Sequence, residues 1–100
     1  MIKFRDAKIL LEKQVPLPLE NYSVRRSGKM EIGEYGECSI EAPYKTIRII
    51  INKNVPEVAQ VDSLIHEWAH AMLAGTTDFT AHGPLWGVCY ARCYCAVYQD

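Results

Sequence analysis

Apolar positions between residues 61 and 73 recur at helical spacing. Val61, Leu64, Ile65, Trp68, Ala69, Met72 and Leu73 follow an i, i+3, i+4, i+7 series and fall on one arc of a helix. His66, Glu67 and His70 fall on the opposite arc, together with the small residues Ser63 and Ala74. The pattern predicts a helix with one face in the core and the other face carrying polar groups, with room beside them for a substrate. Pro56 suits the first turn, where a missing N–H does little harm. Gly75 suits the position just past the C-terminus.

Upstream, the pattern changes period. Residues 21–52 read as sheet. The runs 22–26 and 29–33 flank Ser27-Gly28, a two-residue hairpin signal. A short run follows at 37–41, and Ala42-Pro43 breaks it. Residues 46–52 form the strongest strand signal: Ile47, Ile49 and Ile51 point to one face, Arg48, Ile50 and Asn52 to the other. Residues 1–15 do not separate helix from strand, and Pro16 and Pro18 end the element in either case. Downstream, residues 75–81 read as a loop that turns the chain back over the histidine face. His82-Gly83-Pro84 opens a last helix with Pro84 in its first turn. That helix carries Trp86, Tyr90, Tyr94 and Tyr98 at four-residue steps beside a stripe of Leu85, Cys89, Cys93 and Val97. An aromatic stripe at this spacing is expected in the core. The fold class expected is α+β, with a small, mostly antiparallel sheet packed on the histidine helix and a C-terminal helix.

At 100 residues the chain has the length of one domain, residues 1–100, able to bury about 60–70% of its unfolded surface. The net charge of −1 announces neither nucleic acid nor an anionic membrane. Arg25, Arg26, Lys29, Lys45 and Arg48 are the only candidates for a basic cluster, and a solvated surface accounts for them. Cys38, Cys89, Cys93 and Cys95 form no C-x-x-C pair, and three of them crowd into one helix, which does not suit a disulfide framework. They read as reduced thiols; Cys89 and Cys93, four apart, have a spacing that could hold a metal but read as buried structural thiols. No apolar leader and no membrane-spanning run is visible, so a cytoplasmic, intracellular monomer is expected.

The chemistry lies in His66-Glu67-Trp68-Ala69-His70, an H-E-x-x-H sequence. Residues four apart lie one helical turn apart on one face, so both imidazoles can reach one zinc ion at about 2.0–2.1 Å. Glu67 can then face a water on that ion as general base. Catalytic zinc takes three protein ligands. No glutamate follows Glu67, which leaves Asp78, His82 and Asp100 as candidates for the third. His82 is favoured, because a neutral imidazole suits zinc and the residue stands at a helix start where the backbone is held.

His66-Glu67-Trp68-Ala69-His70-Ala71-Met72, followed by His82-Gly83-Pro84-Leu85-Trp86, resembles the SprT-like metalloprotease domain. That family includes the protease domain of Spartan, which degrades proteins crosslinked to DNA. Gly36-Glu37-Cys38-Ser39-Ile40 resembles a strand that precedes the metal helix in Spartan-like members, and the likeness covers roughly residues 30 to 90. It implies a minimal zincin-like peptidase with His66, His70 and His82 on Zn2+ and Glu67 as the base. The loop before His82 is shorter than in Spartan. No zinc ribbon or DNA-binding extension lies within these 100 residues, so a role in DNA repair does not follow from the fold.

The expectation is therefore a zinc-dependent endopeptidase acting on a protein or peptide substrate, DNA-associated or not. Residues 46–52 are the expected edge for pairing with an extended peptide. Tyr90 or Tyr94 is a candidate second donor to the oxyanion, with core packing or a rim position as the simpler role for each. Three alternatives stay open: a regulatory protease that cuts one partner, a catalytically silent zinc-stabilised interaction module, and a nucleic-acid-binding protein.

Overall fold

The computed structural model describes residues 1–41 and 45–99. Its elements run α1 (Phe4–Gln14), β1 (Tyr22–Ser27), β2 (Gly36–Glu41), β3 (Thr46–Asn52), α2 (Glu57–Met72) and α3 (Pro84–Tyr98). The fold is α+β: three helices and a three-stranded mixed sheet. The expected break at Ala42-Pro43 and the candidate ligand Asp100 lie outside the described residues.

The first fifteen residues resolve as a helix. Phe4, Ala7 and Leu11 are buried at i, i+3, i+7, and Val15 is buried just beyond. Lys3 at the N-cap offers no acceptor, so Glu57 supplies one: its Oε2 accepts the Phe4 N–H at 2.8 Å. At the other end, the buried Trp68 Nε1–H donates to the Val15 carbonyl at 2.8 Å. Both ends of α1 are thus tied to α2 by groups more than fifty residues away in sequence.

The sheet order is β1-β3-β2. β1 runs parallel to β3, and β2 runs antiparallel to it. This corrects two expectations. The sheet is mixed rather than mostly antiparallel, and no hairpin forms around Ser27-Gly28. The reason lies in β3. Ile47, Ile49 and Ile51 are fully buried against the helices, and a central position pairs that backbone on both sides. A hairpin of residues 22–33 would instead set beside β1 a segment in which Ile32 is wholly exposed and Gly33 has φ +94°. Residues 28–35 form a loop across the C-terminal end of β3. The side chains of Asn52 and Asn54 hold it there, with Nδ2 of each donating to the carbonyls of Glu34 at 2.7 Å and Gly28 at 2.8 Å. A third correction follows: β3 is the central strand, so it cannot be the edge that pairs with a peptide. β1 and β2 are the edges.

α2 is the centre of the molecule. Val61, Leu64, Ile65, Trp68 and Ala69 are fully buried, as their spacing predicts. Gln60, Ser63, Glu67, His70 and Ala71 are buried as well. The face expected to be open is therefore covered, by β2 on one side and α3 on the other. Gln60 remains satisfied: its Nε2 donates to the Val55 carbonyl at 2.9 Å, and its Oε1 accepts from Arg26 at 3.3 Å. Pro56 occupies the N-cap rather than the first turn, with ψ 151°. Gly75 takes φ +87° two residues past the C-cap Leu73, where a side chain would be strained.

α3 is buried through the stripe beside the aromatic one, and not through the aromatic stripe expected in the core. Cys89, Cys93, Ala96 and Val97 are its buried residues. These are small, and they let two helices approach closely around a core already filled by Trp68 and the three isoleucines. The aromatic stripe is displaced to the rim: Trp86 and Tyr90 are half-buried, Tyr94 and Tyr98 exposed. Leu85, at the head of the adjacent stripe, is also exposed. Among the described residues no helix is long and apolar enough to cross a membrane.

Candidate metal centre

His66 and His70 project from α2, one turn apart, and His82 is delivered by the loop that ends two residues before α3. The three side chains converge. His82 Nε2 lies 3.1 Å from His70 Nε2 and 3.3 Å from His66 Nε2. A zinc ion with tetrahedral Zn–N bonds of about 2.0–2.1 Å requires nitrogens about 3.3 Å apart. The spacing and the donor chemistry both fit such an ion. Among the described residues this is the one group of three or more metal-binding side chains. Three histidines thus lie close enough together to bind a metal ion, and Asp78 is not among them.

The ring of His70 is fixed by a main-chain contact. Its Nδ1 lies 2.8 Å from the Phe79 carbonyl oxygen, which can only accept. Nδ1 therefore carries the proton, and Nε2 keeps its lone pair for the cluster. Burial holds the pKa values of His66 and His70 below the ordinary imidazole range. The other histidines push His66 further down, while His82 does the same to His70 against the opposing Phe79 contact. Neutral rings are the ligand form.

Trp86, one turn after His82, closes the cluster from the α3 side. Its ring centroid lies 4.9 Å from those of His66 and His82 and 5.5 Å from that of His70. Its indole Nε1 is buried without a hydrogen-bond partner among the described residues. A donor left so costs about 1–3 kcal/mol, which suits a site completed by a group other than a side chain of this chain.

Glu67 lies toward β2. Its Cγ would be 3.3 Å from a Cβ on Gly36, so glycine at that position makes room for the carboxylate. Burial, and then the charge of Glu37, push the Glu67 carboxyl up to about 7. Beyond His66, a groove of about 350 Å3 opens between the first half of α2 and α3, lined by Tyr35, Ala59, Asp62, Ser63, His66 and Tyr90. Ser63 lines it as its size suggested, whereas Ala74 does not.

Several of these residues were not singled out by sequence reasoning for what they do here. Trp86 was placed in a core stripe, although its four-residue distance from His82 sets it beside the cluster. Asp62 precedes His66 by one turn and shares its face. Tyr35 and the Phe79 carbonyl have no sequence signal, because they arrive from other segments; Gly36 is marked only as the start of the strand that resembles the one before the metal helix.

The remaining candidates separate from the site. All four cysteines are free. Burial pushes the Cys93 thiol up to about 12, and it sits against Met72 Sδ at 3.4 Å, a packed group rather than a ligand. Cys89 is buried as well, as expected of this pair, and Cys95 is exposed. Of the basic residues, Arg26 lies over the Phe4 ring, and Arg48 pairs with Glu41. Neither a family model nor a curated protein nor a solved structure matches the chain.

Proposed function

We propose that this chain is a zinc-dependent endopeptidase, a minimal zincin-like domain of the SprT-like kind. The observation that carries the reading is the convergence of three imidazoles, with His82 Nε2 3.1 Å and 3.3 Å from the Nε2 atoms of His70 and His66 and all three ligand atoms within 4.8 Å of one another, together with the buried carboxyl of Glu67 next to His66 in sequence. The number of ligands supports it too. A structural zinc is closed by four protein ligands, and the described residues supply three. That favours an enzyme over a silent zinc-stabilised module.

His66, His70 and His82 would hold the ion. When bound, zinc acts as a Lewis acid on the scissile carbonyl and brings the pKa of water toward about 7. The rest of the chemistry belongs to the chain. A Glu67 carboxylate oxygen takes the proton of the attacking water and returns it to the leaving amide nitrogen as the C–N bond breaks.

β2 is the strand that replaces β3 as the docking edge. Asn52 N–H bonds to the Tyr35 carbonyl at 2.9 Å. By the alternation of an antiparallel pair, Glu37 and Ser39 then turn their backbone groups toward β3. Gly36, Cys38 and Ile40 turn theirs outward. An extended peptide laid along this edge passes beside Glu67 and gains main-chain hydrogen bonds without regard to its sequence.

The experiment is zinc analysis of the purified protein with digestion of an unfolded protein such as casein, for the parent and for Glu67→Gln. The parent is expected to hold one zinc and to cleave. Glu67→Gln is expected to keep the zinc and lose cleavage. Cleavage by the variant at the parent rate would remove Glu67 from its role, and a parent without zinc or activity would remove the reading.

A further inference from the structure

We propose that the groove beside His66 is a subsite for a cationic side chain, lysine or arginine, held by the carboxylate of Asp62 between the rings of Tyr35 and Tyr90. The proposal rests on the peptidase reading and names the substrate feature that the site selects.

The groove has the chemistry of a cation receptor. Ala59 and Ser63 lie on the α2 wall one turn apart, and their small side chains leave the groove open on that side, in a volume of about 350 Å3. Tyr35 and Tyr90 supply aromatic surface, which favours both an alkyl stem and a cation above a ring face. Asp62 supplies the only charge in the lining.

Asp62 has no ion-pair partner among the described residues. Its Oδ1 accepts the Tyr98 hydroxyl at 2.9 Å, and that bond orients the carboxylate. Tyr98 is itself steadied by a ladder of rings along α3, with centroid spacings of 4.8 Å to Tyr94, 6.2 Å from Tyr94 to Tyr90, and 5.0 Å from Tyr90 to Trp86. The ladder therefore connects the carboxylate to the histidine cluster. The field of Asp62 is felt across the groove, since it adds to burial in raising the Tyr90 hydroxyl.

Distance suits the role. Asp62 precedes His66 by one helical turn, about 5–6 Å along the axis. A lysine or arginine side chain reaches that far from a peptide backbone aligned on the histidines. The same carboxylate works against other occupants. An apolar side chain in the groove would cover a charge and leave it unpaired, and an acidic one would meet a like charge.

The test uses the zinc-loaded Glu67→Gln protein, in which cleavage is arrested, and measures direct binding of one extended peptide carrying lysine, leucine or glutamate at a scanned position. A parallel series reads kcat/KM in the parent. At one position the lysine peptide is expected to bind and to be cleaved at least about tenfold better than the leucine peptide, with the glutamate peptide worst. Adding Asp62→Asn is expected to remove most of that lysine-to-leucine ratio, and Asp62→Lys to invert the order of lysine and glutamate. Tyr90→Leu, which keeps the charge, is expected to reduce the ratio several-fold. Binding without a lysine preference, or a preference that survives Asp62→Asn, overturns the subsite and leaves the peptidase reading standing. Failure to bind or cleave any of the peptides overturns both.

Discussion

His70 Nδ1 lies 2.8 Å from the carbonyl oxygen of Phe79, nine residues further along the chain. The contact orients a histidine of the cluster on α2 with the same loop that brings His82 back to it. Two of the three imidazoles are thus positioned by one segment, residues 73–83. Ligand and loop should behave as one unit. His82→Ala is expected to weaken zinc binding by about 10–100-fold or more, at least the scale of losing a supporting contact. Asp78→Ala is expected to leave it unchanged. Competition with a chromophoric chelator measures both, and full retention of zinc by His82→Ala would return the third position to Asp78.

Gly36 carries the second prediction. A Cβ there would stand 3.0 Å from Ile51 Cδ1, 3.2 Å from the Ile50 carbonyl oxygen and 3.3 Å from Glu67 Cγ. The isoleucine tip can shift, but the carbonyl belongs to the β2–β3 ladder. Gly36→Ala is expected to destabilise the fold by about 1–3 kcal/mol and to turn Glu67 aside. Urea unfolding measures the first effect. A fall in kcat/KM with zinc affinity retained measures the second.

The buried carboxyl of Glu67 makes the metal-free protein sensitive to pH. Its folded pKa of about 7 lies above the ordinary 4.5. Between these values the unfolded chain has released a proton that the folded chain keeps, so stability falls as pH rises from about 4.5 to 7 and is level beyond. The penalty is on the order of 1–3 kcal/mol. Glu67→Gln removes it. The metal-stripped variant is expected to exceed the metal-stripped parent in stability at pH 8 and to match it near pH 4. Equal unfolding midpoints at pH 8 would show that the carboxyl is not desolvated.

Trp68 tests the frame behind the site. Trp68→Phe keeps most of the apolar volume but leaves the Val15 carbonyl without its donor. A loss of about 1–3 kcal/mol is expected, or a fall of several degrees in Tm. Protection of α1 amides from hydrogen exchange should decline more than that of β3, because α1 is the element this bond holds.

The chemistry of the site was legible because it is local. His66, Glu67 and His70 share one helix, whose period places them on one face whatever surrounds it. His82 was legible for a related reason: Gly75 and Pro84 mark where α2 ends and α3 begins, and the loop between them is short. The alternation of β3 was equally plain, since Ile47, Ile49 and Ile51 are a local pattern. Strand pairing was not. Ser27-Gly28 has the chemistry of a tight turn, yet β1 pairs in parallel with β3, because burial of the three isoleucines outweighs what one turn contributes. The aromatic stripe of α3 was misplaced on the same grounds. Periodicity says which residues share a face, but not whether the neighbour has room for large side chains or only for Cys89, Cys93 and Ala96.

Sequence alone marked the three imidazoles of His66, His70 and His82 and the Glu67 carboxyl beside the first, because side-chain chemistry and helical spacing are properties of the residues and of their nearest neighbours along the chain. Tertiary structure alone decided which strand lies at the edge, that Gly36 leaves space for Glu67, that Trp86 covers the histidines, and that Asp62 faces Tyr35 and Tyr90 across a groove. Those relationships join segments tens of residues apart, and they are set by how whole surfaces pack together rather than by local backbone preference.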